Sequence, residues 1–247
     1  MRSTVNDPSK IRLQVFLSRN GVCSRREAMK IIQEGRVSVN GKNIREPSVL
    51  IDPLKDKAFV DGKPVVTKQF KYVMLNKPAG YVTTKEDVHA EKTVFDLLPA
   101  SLSYLVPVGR LDKNTEGLLL FTNDGDVTFH LTHPRFEIVK TYEVAIQGAL
   151  DEKTKEQLEQ GVVLEGKKTA PAKIRLLTST ALRSDLTIEI HEGRKRQVRL
   201  MFGKVRHKVL YLKRLTQGPL QLGSLEKGKW RDLTEAEISA VRKLIKR

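Results

Sequence analysis

The chain has 247 residues, 39% of them hydrophobic, and no apolar run approaches the roughly 18 residues of a membrane-spanning helix. Its single cysteine, Cys23, excludes an internal disulfide framework and any zinc site built from this chain's thiolates. With 45 Lys and Arg against 29 Asp and Glu, the net charge is +16 and the isoelectric point about 9.9, which favours a polyanionic partner.

The opening MRSTVNDPSK lacks the apolar segment of a secretory signal and reads as a short disordered leader, residues 1–10, on a cytosolic protein. Residues 11–68 then form a compact module. Leu13, Phe16 and Leu17 recur at helical spacing. Ser24 opens S-R-R-E, a capping box in which Ser24 accepts from the amide of Glu27 and Glu27 reaches back. Ala28, Ile31 and Ile32 give this second helix an apolar face, and Gly35 stops it. Arg25, Arg26 and Lys30 are left on its outer side. RVSVNGKNI and AFVDGKPV follow, centred on Asn40-Gly41 and Asp61-Gly62, the signals of two-residue hairpins. Lys68-Gln69-Phe70-Lys71 reads as a linker.

From residue 72 to 247 the pattern predicts a second domain with strands at 72–75, 118–121, 141–146 and 186–190. LNKPAG (75–80) reads as a strand end and turn with no catalytic part. Helices are expected after Asn123-Asp124-Gly125 and between Asp151 and Gly161. A last one opens at T-E-A-E (234–237), with Ile238, Val241, Leu244 and Ile245 as its stripe. The fold class is α+β, with a mixed, mainly antiparallel sheet flanked by helices. Between Arg194 and Arg214 Lys and Arg are dense and no acid occurs, a run that repels itself unless phosphates share it. His130, His133, His191 and His207 are scattered and do not form a ligand set.

GRLDKNTEGLLLFT (109–122) sets Asp112 between Arg110 and Lys113, just before an apolar strand. As a metal ligand Asp112 lacks partners, because no His joins Glu116 and Asp124 at ligand spacing. It is either a solvated turn charge or a nucleophile or base that needs a cation to keep it ionised. Tyr142 lies on an alternating strand, on the face of Val144 and Ile146, where a core tyrosine is the plain alternative.

SRREAMKIIQEGRVSVNGK (24–42) resembles an S4 RNA-binding domain. The resemblance implies a basic ridge of Arg25, Arg26, Lys30, Arg36 and Lys42 set against the backbone of a structured RNA. GRLDKNTEGLLLFTNDGD, KTYEV (140–144), EGRKRQVRLMF (192–202) and GPLQLGSLEKGKWRDLT (218–234) resemble the RsuA/RluB family of pseudouridine synthases. That resemblance implies isomerisation of uridine in ribosomal RNA, without metal or cofactor, through Asp112. It places Arg199 as the cation paired with Asp112, Tyr142 stacked on a flipped base, and Val198 lining the uracil pocket. Arg110 would fill the gap left by the flipped nucleotide or hold a phosphate. Arg194, Lys195, Arg196 and Gln197 would hold phosphates near it, with Leu200 departing from a second basic residue common there.

VGRLDKNTEGLLLFT and TVFDLLP (93–99) are closer to the branch that modifies large-subunit rRNA than to the small-subunit branch. The expected partners are stem-loop rRNA and ribosomal assembly intermediates, with no membrane and a monomeric protein. The rival readings are a non-catalytic rRNA-binding assembly factor and a nuclease or glycosidase using Asp112 with Glu116.

Overall fold

The computed structural model describes residues 10–85 and 91–245, so the leader expected over residues 1–10 lies outside the described residues but for Lys10. Two compact units divide between Lys71 and Tyr72, and residues 101–106 belong with the first of them.

The first unit has helices Leu13–Arg19 and Arg25–Gln33 over a four-stranded sheet. Ser24 Oγ accepts from Glu27 N at 3.2 Å and starts the second helix, while Gly35, at φ +78, lets the chain leave it. The capping box is only half made. Glu27 is exposed, and among the described residues its carboxylate makes no bond back to Ser24. Both hairpins have positive φ at their two central residues, Asn40 and Gly41 (50° and 80°) and Asp61 and Gly62 (48° and 76°). That is the type I′ geometry, whose twist matches the flanking strands. Val37 pairs with Ile44 in the first hairpin, and Val60 with Lys63 in the second. Leu13, Phe16, Leu17, Ile31, Ile32 and Val37 form the core. Each large side chain contributes about 1.5–3 kcal/mol by leaving water.

Lys68–Lys71 is anchored within this unit instead of hanging as a free linker. Lys68 N donates to Asn20 Oδ1 at 2.7 Å, its ammonium sits 3.7 Å from the Tyr104 ring centre, and the Arg19 guanidinium lies 3.7 Å from that of Phe70.

The second unit is built on a nine-stranded sheet. Its main path runs Lys173–Ser179, Arg183–Ile190, Lys140–Gln147, Val209–Gln217, Glu116–Thr122, Tyr72–Lys77, Trp230–Asp232. The pairing of Val209–Gln217 with Glu116–Thr122 is parallel, and every other pairing along the path is antiparallel. Tyr72–Lys77 and Glu116–Thr122 are buried at every position. Such continuous burial needs cover on both faces. Part of that cover is the helix Gly125–Thr132, which packs on Glu116–Thr122 and on the C-terminal helix Glu235–Ile245. Arg183–Ile190 instead alternates buried with partly exposed residues, as a sheet with one open face does.

At the parallel pairing, Gly117 has φ +102 and stands opposite Arg214. A Cβ on Gly117 would collide with the Arg214 carbonyl, so glycine is required for the two strands to meet there.

Candidate active site

Residues 109–115 form a turn between the strands Val106–Pro107 and Glu116–Thr122, and neighbouring side chains hold its backbone from both ends. Thr83 Oγ1 donates to Leu111 O at 2.8 Å and accepts from Leu111 N at 3.2 Å. Lys77, fully buried at the end of its strand, sends its ammonium into the turn. Nζ donates to the carbonyls of Pro78, Asp112, Lys113 and Thr115 at 3.1, 3.1, 3.2 and 2.8 Å. An ammonium has three N–H bonds, so one of these contacts is shared. Burial pushes Lys77 down to about 8, with Glu116 and Asp112 opposing that shift. LNKPAG is thus more than a strand end, because its lysine braces the turn that carries Asp112.

Asp112, Tyr142, Val198, Arg110, Arg194, Arg196 and Gln197 all line one cavity of about 680 Å3. That volume lies within the roughly 300–1,000 Å3 usual for ligand sites. Among the described residues, neither the Asp112 carboxylate nor the Tyr142 hydroxyl has a hydrogen-bond partner in the protein. Tyr142 is therefore a cavity-wall residue and not a core tyrosine tied off inside the fold.

Arg199 is not in this cavity and forms no ion pair with Asp112. Its Nη2 donates to Asn114 O at 2.7 Å and its Nη1 to Val209 O at 3.3 Å. The cause is helix geometry: in Gln197–Lys204, Val198 turns its side chain into the cavity, and the next residue projects about 100° away. Burial and the nearby Arg196 lower the Arg199 pKa, while Asp112 acts against them at longer range.

The buried cation of the cavity is Arg214, which is 2% exposed. It stands directly across from Tyr142 in the strand pairing. Its Nε donates to Leu118 O at 2.8 Å, while its buried Nη2 has no partner among the described residues. Thr115 Oγ1 and Gln217 Oε1, on two other residues lining the cavity, are likewise buried without a partner. Buried polar groups are nearly always paired, so orphans gathered at one cavity mark where a ligand's polar atoms belong. Lys140, also on the wall, is pushed down to about 8 by burial and then by Arg214.

Two further expectations change. Arg194 pairs with Glu192 at 3.2 Å and donates to the carbonyls of Lys167 and Lys168, so its guanidinium is occupied. Gln197, 4% exposed, donates to Glu192 Oε1 at 2.6 Å and accepts from Arg194 N. These two residues build the loop that presents Arg196, which is exposed, carries φ +55 and has no side-chain partner among the described residues. Glu116 lines a different cavity from Asp112 and is matched by Lys227 at 2.9 Å, so the two carboxylates do not flank one site as a glycosidase pair does. Among the described residues no group of three or more His, Cys, Asp or Glu is arranged to hold a metal.

Comparison with known proteins now decides the family. Residues 71–204 match the model of the RNA pseudouridylate synthases, and residues 11–53 match the S4 domain. The chain is 41% identical to an RNA pseudouridine synthase of Aquifex aeolicus, over 96% of this chain and 95% of that one. It is 40% identical to ribosomal large subunit pseudouridine synthase B of Bacillus subtilis, over 94% and 96% of the two chains. The chain belongs to the RsuA/RluB family of RNA pseudouridine synthases. A crystal structure of a pseudouridylate synthase superposes with a TM-score of 0.68 at 32% identity, covering 94% of this chain and 99% of that one.

The synthase accordingly binds RNA, and its S4 unit carries cations suited to that. Arg25, Arg26, Lys30 and Lys42 are exposed. Arg36 differs, being held in a two-bond pair with Asp61 at 2.9 and 2.6 Å and in contact with Glu34. Its charge is already matched, so the open ridge comprises the other four.

Proposed function

We propose that the synthase converts uridine in large-subunit ribosomal RNA to pseudouridine, with Asp112 as the essential carboxylate. The observation that carries this is an unpaired carboxylate sharing one cavity with Tyr142 and a buried Arg214 whose Nη2 is unpartnered. The Bacillus relative's name and its length-wide similarity support the large-subunit target.

The uridine is inaccessible while stacked, so it flips into the cavity, and Arg110, exposed at the rim, takes its place. As the N1–C1′ bond breaks, the sugar carbon becomes oxocarbenium-like, and an anion beside it lowers the barrier. Asp112 supplies that anion, with Arg214 as the buried cation on the wall of the same cavity. Tyr142 stacks on the uracil and Val198 packs at its edge. The base turns, C5 bonds to C1′, C5 gives up its proton and N1 takes one, so the product is an isomer. One chain holds every group required, and a monomer suffices.

The test is Asp112→Asn assayed for pseudouridine across rRNA from cells with and without the protein. Loss of one rRNA pseudouridine with RNA binding retained is the expected result. Full isomerisation by the variant overturns the role of Asp112. A wild-type protein that binds rRNA and changes no uridine is an assembly factor instead.

A further inference from the structure

A second cavity, of about 860 Å3, adjoins the first and shares a single lining residue with it, Arg196. The two are lined by different residues of the same elements. Along Val209–Gln217, Leu212 and Arg214 line the first cavity and Tyr211 the second. In the Asp112 turn Thr115 lines the first and Asn114 the second, and on the helix Gln197–Lys204 the division falls between Val198 and Arg199.

The second cavity is strongly cationic. Arg206 and Lys208 are exposed on its wall, and like Arg196 they have no side-chain partner among the described residues. Arg199 has used two of its five N–H groups on carbonyls and, among the described residues, has no carboxylate within ion-pair distance. Its lowered pKa has the same origin, a partly buried cation beside another cation. The single acid on the wall, Glu116, is matched by Lys227 at 2.9 Å and so does not neutralise them. Four cations held around one concavity repel each other unless an anion joins them.

We propose that this second cavity holds a phosphodiester of the RNA strand adjoining the flipped uridine, with the strand crossing between the cavities over Arg196. The inference rests on the first cavity being the site of the flipped uridine. A polymer fits better than a free anion because the two cavities are contiguous through one unpaired arginine, and a nucleotide in the first brings a phosphate with it. A positively charged groove lined by an aromatic side chain, here Tyr211, is how single strands are tracked without regard to sequence. The second cavity thus fixes where the strand runs, while the first performs the chemistry.

The test replaces Arg206→Gln together with Lys208→Gln in the full chain, and compares Lys153→Gln with Lys173→Gln, two exposed lysines on neither cavity, as a control of equal charge. Binding of target rRNA fragments is measured against salt. Neutral methylphosphonates are placed one at a time at the phosphates flanking the target uridine. The cavity variant should bind roughly 10-fold more weakly, as when a charge-assisted hydrogen bond is removed. Its salt slope should fall by about 0.7 for each phosphate released from a single strand. One methylphosphonate position should weaken the wild type and the control alike but cost the cavity variant nothing further. Equal affinity and slope in the cavity variant and the control, or additive losses at every phosphate, overturn the proposal. Wild type that shows the position-specific coupling yet makes no pseudouridine leaves the phosphate site standing and sinks the catalytic reading. Wild type that isomerises uridine while the cavity variant binds like the control does the reverse.

Discussion

The cations of the S4 unit and those around Asp112 share a sign and differ in almost everything else. Arg25, Arg26 and Lys30 stand exposed on one helix, with no side-chain partner among the described residues. Lys77 and Arg214 are buried and donate to backbone carbonyls of the Asp112 turn and of the strand that follows it. An exposed cation is screened by salt and acts through numbers. A buried one acts through position, because its field is undiluted and its neighbours cannot rearrange. The first set should therefore govern affinity and the second the rate.

The largest effect expected from this division is at Arg214. Arg214→Met should lower kcat by about 10²–10³-fold, the usual result of removing one preorganised electrostatic group. RNA affinity should change little, and single-turnover kinetics on a saturating rRNA fragment checks both. A variant with normal kcat and weakened binding would place Arg214 with the exposed set and break the comparison. Next in size is Gly117→Ala, which forces a Cβ against the Arg214 carbonyl at φ +102. Overpacking of this kind costs about 1–3 kcal/mol, read as a lowered denaturant midpoint. The same variant should lose rate, since the displaced strand carries Arg214.

These buried groups are also the ones that local sequence pattern conveys least. The S4 helices and hairpins are specified by neighbours, through Ser24, Gly35, Asn40-Gly41 and Asp61-Gly62, so reading along the chain finds them. Asp112, Tyr142 and Val198, which the family resemblance assigns to one site, line one cavity. Arg199 was misplaced because adjacent helical residues face different ways, and only one of the pair Val198–Arg199 can enter the cavity. Arg214 lies in a basic run where every residue looks alike. It is singled out by strand pairing with Tyr142 and Gly117, a long-range register that local pattern does not contain. Lys77 is hidden for the same reason, since three of its four acceptors lie 35 to 38 residues further along the chain.

Lys140 lies between the two classes, being on the cavity wall yet partly exposed, and pH separates its effects. Its pKa in the folded protein is lowered to about 8 from the ordinary 10.5, by burial and then by Arg214. Below pH 8 it is charged and should attract phosphates of RNA bound at the cavity, and as pH rises through 8 that attraction should go. KM for rRNA should therefore rise above pH 8 in the wild type, and Lys140→Gln should flatten that limb. Stability should move the other way. Between about 8 and 10.5 the unfolded chain binds the proton that folded Lys140 and Lys77 have released, so the folded state gains as pH rises. Affinity and stability that fall together over this range would show that Lys140 is not the titrating group.

The smallest effects belong to the S4 surface, and there the comparison can be made within a single unit. Replacing Arg25, Arg26 and Lys30 together by Gln should leave kcat unchanged. It should reduce the salt slope of binding by about 0.7–0.9 for each phosphate no longer neutralised. Arg36→Gln removes the same charge from the same unit, yet it should leave RNA affinity nearly untouched, because Asp61 and Glu34 already share that guanidinium. Asp61→Asn supplies the reverse case. It frees Arg36 from its two-bond partner and should strengthen RNA binding slightly at low salt, an increase that Arg36→Gln in the same background abolishes. If Arg36→Gln instead weakens binding as much as any one member of the triple variant, pairing within the protein does not withdraw a surface cation from the RNA. Exposure alone would then set its contribution.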